Sequence, residues 1–154
     1  MLPWKSTTLS VAILLFLIST SSAQDDGFGL GIIIGEPTGI TAKKWLTETK
    51  AVDFSAAWSF EGNHSFVFHG DMVSHKYDLI EVPSGEMPLY YGAGYRLRFS
   101  DKKSSLGARF PVGLNYHLHN SQLGAFFELA PVLELIPSTK FKIDAALGFR
   151  YFFK

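Results

Sequence analysis

The sequence predicts an all-β protein, an eight-stranded antiparallel up-and-down transmembrane β-barrel that follows a cleaved signal peptide. Apolar and polar residues alternate with a period of two in segments of roughly 9–14 residues, and turn-forming residues separate the segments. Beyond the N-terminus no stretch is uniformly apolar for long enough to span a membrane as a helix. The 154 residues suffice for one domain. We assign residues 1–23 to the signal peptide and residues 24–154 to the barrel.

The first segment has the three parts of a signal peptide. Lys5 supplies the positive n-region, residues 11–18 form the apolar h-region, and Ser21 and Ala23 are the small residues of a cleavage site. The alternative is an uncleaved membrane anchor. The apolar run is short for a spanning helix and ends in small polar residues, which favours cleavage.

The alternation is clearest in the last segment. One face carries Phe141, Ile143, Ala145, Leu147, Phe149, Tyr151 and Phe153. The other face carries Lys142, Asp144, Ala146, Gly148, Arg150, Phe152 and Lys154. Because successive side chains of a strand point to opposite faces, this split predicts a strand with one apolar face. The same split recurs, least clearly at 39–46, over residues 28–35, 39–46, 51–60, 66–73, 89–99, 106–118 and 123–135.

Turn-forming residues divide these segments. Short breaks fall at 35–37, 47–49, 61–63, 101–104, 120–122 and 137–139. One longer connection covers about residues 77–87. Most breaks have the length of a hairpin, so sequential antiparallel pairing is the simplest topology. If both termini face the periplasm, the long connection faces it too.

The placement of charge separates a membrane barrel from a soluble barrel or sandwich, which would also alternate. The apolar faces are rich in Leu and Phe, with aromatic residues toward strand ends, as at two lipid–water interfaces. The opposite faces combine glycine with charges of both signs, which would fill a narrow lumen. The predicted lumen charge network is Asp53, Asp71, Arg96, Arg98, Arg109, Glu128, Glu134, Lys142, Asp144 and Arg150. We expect the arginines of the fifth and sixth strands to meet carboxylates of the last two.

Four sequence phrases carry a resemblance to known proteins. They are GFGLGIIIGEPTGITAKKWL (27–46), MPLYYGAGYRLRF (87–99), LGARFPVGLNYHL (106–118) and FELAPVLELIPST (127–139). With them the chain resembles the small outer-membrane barrels of the OmpA/OmpX type, and more closely a bacterial family of uncharacterised outer-membrane barrel proteins. The last strand resembles the outer-membrane assembly signal, although Lys154 follows the final aromatic residue. The resemblance implies the bacterial cell outer membrane, contact with its lipid and its assembly machinery, and no established activity.

Composition excludes several functional classes. Fourteen basic residues balance 14 acidic ones, so no global field attracts nucleic acid. The absence of cysteine excludes a disulfide scaffold and thiolate chemistry. The glycine spacing in 27–35 is not followed by a helix or by a Lys-Ser/Thr pair, so we expect no nucleotide or other cofactor.

Two polar groups invite a catalytic or metal-binding interpretation. His119 and Ser121 have the His-x-Ser spacing of outer-membrane lipid A deacylases, with Glu128 or Glu134 as the carboxylate. They fall at a predicted turn, however, so a solvated turn is the better interpretation and we expect no catalytic residue.

The second group is His69, Asp71 and His75, with His117 as a further ligand. Ligands on one strand are too far apart to converge on an ion without help, so we expect no metal site. The sequence thus predicts a non-enzymatic protein with a structural or interaction role. The alternatives are a lipid-modifying hydrolase, a narrow pore and a soluble secreted binding barrel. An interaction role implies a periplasmic or surface partner, which no residue identifies.

Overall fold

The computed structural model describes residues 27–153 apart from Pro37 and residues 60–63. The predicted signal peptide, the predicted break at 61–63 and Lys154 lie outside the described residues. The strands are β1 (Phe28–Glu36), β2 (Thr38–Trp45), β3 (Lys50–Ser59), β4 (Ser65–Lys76), β5 (Leu89–Ser100), β6 (Ser105–Arg109), β7 (Val112–His117), β8 (Leu123–Ile136) and β9 (Lys140–Phe153).

The strands form one closed antiparallel sheet. Pairing follows the order of the sequence from β1 to β5, and β9 closes the ring by pairing with β1, where Phe28 lies opposite Phe153. Both β6 and β7 lie between β5 and β8, so together they occupy the position of one strand. The ring therefore has eight strand positions, and the predicted eight-stranded up-and-down topology is confirmed.

The sequence predicts one continuous strand over 106–118, but the structure divides it into β6 and β7. The interruption falls at Phe110 and Pro111. Proline has no N–H to donate to the sheet, but the Pro111 carbonyl accepts a hydrogen bond from Gly92 N at 3.0 Å. Phe110 N donates to Pro131 O at 2.9 Å, so backbone contacts continue across the gap on both sides.

The faces of the barrel have the predicted polarity. Outward apolar side chains are well exposed, with Phe141 at 66% and Ile143 at 62%. Inward charged side chains are buried, with Lys43 at 0% and Arg109 at 2% exposed. This polarity is the reverse of that of a soluble domain, in which apolar side chains are buried and charged side chains are exposed. No helix among the described residues has the length and apolar character needed to cross a membrane.

Inward glycines make room for aromatic rings in the lumen. A Cβ on Gly148 would overlap the ring of Phe126, and one on Gly29 would come within 2.7 Å of the ring of Phe152. Lumen glycine is therefore a packing requirement, because a narrow barrel has little other space for a ring.

The two ends of the barrel differ in their connections. The end where β1 begins and β9 ends, here called the terminal end, carries the connections 46–49, 77–88 and 118–122. The opposite end, here called the far end, carries the connections 101–104 and 137–139. The long connection thus lies at the same end as both described chain ends, as expected from sequential pairing.

Candidate functional site

The centre of the lumen holds Arg109 between two carboxylates. Its two terminal nitrogens pair with Asp71 Oδ2 and with Glu128 Oε1. The Tyr90 hydroxyl donates a hydrogen bond to the other oxygen of Glu128 at 2.7 Å. Since all of these groups are buried, each charge depends on its neighbours rather than on water for stabilisation.

A second cluster lies closer to the terminal end. Lys43 Nζ and Arg150 Nη2 approach the same Asp53 oxygen at 3.4 and 3.5 Å. Arg150 also donates hydrogen bonds to Thr41 Oγ1 from Nη2 at 2.8 Å and from Nε at 3.2 Å. Its guanidinium lies 4.0 Å from the centroid of the Phe126 ring, a cation–π contact. This cluster connects β2, β3, β8 and β9 across the lumen.

A third cluster lies toward the far end. Arg96 Nε is 3.0 Å from Asp144 Oδ2, and its Nη1 is 3.4 Å from Glu134 Oε1. Glu134 Oε1 also accepts hydrogen bonds from Lys142 Nζ at 2.9 Å and from the Ser105 hydroxyl at 3.1 Å. Unlike the members of the other two clusters, the Lys142 side chain is 37% exposed. This cluster therefore borders solvent.

Nine of the ten predicted lumen residues take part in these ion pairs. The exception is Arg98, whose Nε donates to the Ser65 hydroxyl at 2.9 Å. The sequence prediction missed Lys43. The signal was available, because the alternation that turns Lys44 outward turns Lys43 inward. With Lys43 included, five cations face five carboxylates in the described ion pairs, so the paired lumen charges balance.

An aromatic layer covers the lumen at the terminal end. We call it the aromatic cap, and it consists of Trp45, His75, Tyr90, His117 and Phe152. The Trp45 ring lies 4.4 Å from that of His75 and 6.1 Å from that of His117. His117 in turn lies 5.5 Å from Phe152, and His75 lies 5.4 Å from Tyr90. The ammonium of Lys43 sits 5.2 Å from the Trp45 centroid. The rings thus lie between the charged clusters and the terminal end.

The long connection at 77–88 is held to the barrel wall by backbone pairing. Glu86 and His117 exchange two backbone hydrogen bonds, of 3.1 and 2.8 Å. The Tyr116 hydroxyl donates to Ser84 O at 2.9 Å. These contacts fix the connection beside the aromatic cap.

A cavity of about 520 Å³ opens at the terminal end, between the aromatic cap and the connections. Trp45, Phe152 and Tyr77 line it, together with the carboxylate residues Glu48 and Glu86. Burial, with added repulsion from the two carboxylates, raises the pKa of Tyr77 to about 12. The phenol therefore stays neutral at physiological pH.

The candidate hydrolase residues are not assembled into a catalytic arrangement. His119 and Ser121 are exposed on a turn in which Asn120 has a φ of 54°. The Ser121 hydroxyl accepts a hydrogen bond from Leu123 N at 3.1 Å. The nominated carboxylates of Glu128 and Glu134 bind lumen cations. Within the described chain, no hydrogen bond joins His119 to Ser121.

Two of the candidate metal ligands, Asp71 and His75, have other partners. Asp71 pairs with Arg109, and His75 packs on Trp45 with its Nδ1 3.3 Å from Thr49 O. Over the residues that the structure describes, no three His, Asp or Glu side chains are placed to hold a metal ion together.

The far end also has a cavity, of about 280 Å³, and most of the charged residues that line it are basic. We call it the basic cup. Its charged lining residues are Arg98, Lys102, Lys103, Lys140, Lys142 and Glu134. Five cations therefore surround a space with one carboxylate. Sequence reasoning did not single out this group, because its members belong to two hairpins that meet only in the folded barrel.

Comparison with solved structures identifies the fold. The N-terminal β-barrel domain of OprF from Pseudomonas aeruginosa matches with a TM-score of 0.67 at 17% identity, over 83% of this chain and 98% of that chain. The chain has the fold of a small outer-membrane barrel. Ail, the attachment invasion locus protein of Yersinia pestis, matches with a TM-score of 0.37 at 16% identity, over 82% of this chain and 94% of that chain.

The match to the OprF barrel confirms the predicted resemblance to OmpA/OmpX-type barrels at the level of architecture. No protein-family model matches the chain, and no curated protein matches it. The resemblance to one particular uncharacterised family stays a prediction.

Proposed function

We propose that the chain is an integral protein of the bacterial outer membrane with a structural or interaction role, and that paired charged side chains fill its lumen. The inverted polarity of the barrel is the observation that carries this proposal. Leu129 in the middle of β8 is 45% exposed, whereas its neighbour Glu128 is 5% exposed. In water the outer surface would present a continuous apolar belt far larger than the patches that soluble monomers tolerate. In lipid the same belt is stabilising.

The closed sheet supports the same location. Lipid offers no hydrogen-bonding partners, so only helices and closed barrels satisfy every backbone group there. The pairing of β9 with β1 leaves no free edge in this ring. The partners that follow are the outer-membrane lipid and the assembly machinery that inserts barrels. A partner in the periplasm or at the cell surface stays a prediction, and nothing favours a nucleic acid or a cofactor.

A structural role is better supported than conduction or catalysis. Three ion-pair clusters and the aromatic cap occupy a lumen that eight strands leave only wide enough for side chains, so little room is left for water. The carboxylates nominated for hydrolysis pair with lumen cations, and His119 and Ser121 are exposed on a turn. The signal peptide over residues 1–23 fits this location as an expectation from the sequence.

Heat modifiability in isolated outer membranes tests the proposal directly. The full chain with its N-terminal segment is expressed in a Gram-negative host, membranes are isolated, and unheated and boiled samples are compared by SDS gel electrophoresis. A closed barrel resists SDS until boiled, so we expect a mobility shift in the outer-membrane fraction. Recovery as a soluble periplasmic or secreted protein without a shift would overturn the proposal.

An arginine scan along β8 tests the lipid belt itself. We expect Leu129→Arg to destabilise the barrel in lipid vesicles by about 2–4 kcal/mol, because a cation near the bilayer midplane lacks solvation. Leu135→Arg, which lies on the same face nearer the far end, should cost only about 0–1 kcal/mol. Urea unfolding in vesicles, followed by tryptophan fluorescence, measures both. Equal and small effects at the two positions would indicate that this face is in water.

A further inference from the structure

The basic cup holds more positive charge than the described residues that line it neutralise. Its one lining carboxylate, Glu134, already binds Lys142 at 2.9 Å and Arg96 at 3.4 Å. In the part of the chain that the structure describes, no carboxylate lies within ion-pairing distance of Lys102, Lys103 or Lys140. Asp101 lies in the same connection as the first two lysines but does not line the cavity. A concentration of unpaired ammonium groups around a cavity attracts a multivalent anion.

Strongly apolar surface borders the cup. The two strands that flank the connection 137–139 expose Ile136, Phe141 and Ile143, at 58%, 66% and 62%. One hairpin therefore presents cations at the mouth of the lumen and apolar side chains immediately outside it. A ligand that satisfies both surfaces is an amphiphile with an anionic head and apolar chains.

We propose that the basic cup binds the phosphate monoester of a phosphorylated lipid headgroup in the outer leaflet of the membrane. Lysine and arginine are the usual partners of phosphate, since their N–H groups form charge-assisted hydrogen bonds to its oxygens. Clusters of basic side chains at a membrane surface also attract anionic headgroups. The inference rests on the proposed membrane location, with the termini in the periplasm and the far end in the outer leaflet.

The terminal end carries carboxylates in its long connection and around its cavity, with Lys44, Lys50 and Lys76 on the strands nearby. Its long connection, residues 77–88, carries Asp78, Glu81 and Glu86 and no lysine or arginine. The terminal-end cavity is bordered by Glu48 and Glu86. These carboxylates would repel an anionic headgroup from the terminal-end cavity, so we expect phosphate to bind at the far end.

The test compares two triple variants that remove the same charge from opposite ends. The first is Lys102→Ala, Lys103→Ala and Lys140→Ala, all exposed residues in or beside far-end connections. The control is Lys44→Ala, Lys50→Ala and Lys76→Ala, exposed residues near the terminal end. Folded protein in zwitterionic micelles is titrated with bis-phosphorylated lipid A or with its dephosphorylated form.

We expect the far-end variant to bind phosphorylated lipid A at least about tenfold more weakly, because each lysine near a charged surface contributes roughly fivefold in affinity. The control variant should change binding less than about twofold, since screening limits the reach of its lysines. Dephosphorylated lipid A should bind the wild type and both variants equally weakly. Equal losses in the two triple variants would overturn the site, because they would reflect net charge alone.

Two further measurements separate the sources of failure. If inorganic phosphate at low concentration binds the wild type as tightly as the lipid and with the same lysine dependence, the assignment to a lipid headgroup is wrong. The SDS mobility shift is measured on the same preparations. A retained shift with no lipid binding would overturn the cup and leave the membrane barrel intact, whereas loss of the shift in the wild type would overturn the proposed function itself.

Discussion

The charged side chains in the two halves of the lumen differ in how far they are shielded from water. From the centre of the lumen to the terminal end the charges are shielded from water, because Arg109 is 2% exposed, its two carboxylate partners are no more than 6% exposed, and the aromatic cap covers that side. Toward the far end, Lys142 is 37% exposed while its partner Glu134 is 7% exposed. One half of the lumen is closed and internally neutralised; the other opens into a cavity with excess positive charge.

This difference indicates which half carries stability and which half meets other molecules. An ion pair shielded from water is strongly coupled, because losing one partner leaves the other buried and unpaired. An exposed pair is screened by solvent and contributes little. We therefore expect the closed half to determine whether the barrel holds together, and the far end to tolerate substitution and carry interactions.

Removal of Arg109 should produce the largest loss of stability. Arg109→Met leaves Asp71 and Glu128 buried without their cation, and we expect it to lower the free energy of unfolding by about 3–5 kcal/mol. Urea titration in lipid vesicles, with the SDS mobility shift as a second readout, measures the change.

A compensating variant checks the cause of that loss. Adding Asp71→Asn and Glu128→Gln to Arg109→Met removes the orphaned charges, and the side-chain amide introduced at position 128 can still accept the hydrogen bond from Tyr90. Much of the stability should return, since neutral polar groups cost less to bury than charges. A single Arg109→Met variant within about 1 kcal/mol of wild type, the upper range for exposed pairs, would show that the closed half is not closed to water.

An intermediate effect is expected where a ring fills the lumen. In Gly148→Ala the added Cβ meets the Phe126 ring and the Ile32 carbonyl oxygen, and such overpacking costs about 1–3 kcal/mol. The matched control is Gly124→Ala, where the nearest atom is the edge of the Phe152 ring at 3.0 Å and a small rotation relieves the contact. Unfolding in vesicles should separate the two variants. If both are equally stable, ring packing does not limit this half of the lumen.

The sequence predicts which side chains point into the lumen and which point outward, because strand geometry is strictly periodic. The alternation in 141–153 requires only that successive side chains point to opposite faces, and in the structure Asp144 and Arg150 are buried, at 8% and 3% exposed. The interruption at Pro111 also had a local cause in the missing N–H, and it was overlooked because the alternation continues through it.

The contacts across the lumen could not be predicted. Arg150 on β9 reaches Thr41 on β2 with β1 between them. Arg96 on β5 meets Asp144 on β9. Such contacts depend on the tilt and stagger of the closed barrel, which no single segment encodes. The basic cup was missed for the same reason, since its lysines meet only when two hairpins are brought together.

The smallest effect is expected at the exposed ion pair of the far end. In Lys142→Met, Glu134 keeps Arg96 and the Ser105 hydroxyl as partners, so we expect a loss of at most about 1 kcal/mol. Because the pair faces solvent, raising the salt concentration to about 1 M should abolish the difference from wild type. The Arg109→Met loss should persist in the same salt, since shielded charges are screened much less. If salt removes both losses, water reaches both halves of the lumen, and the contrast between a closed half and an open far end does not hold.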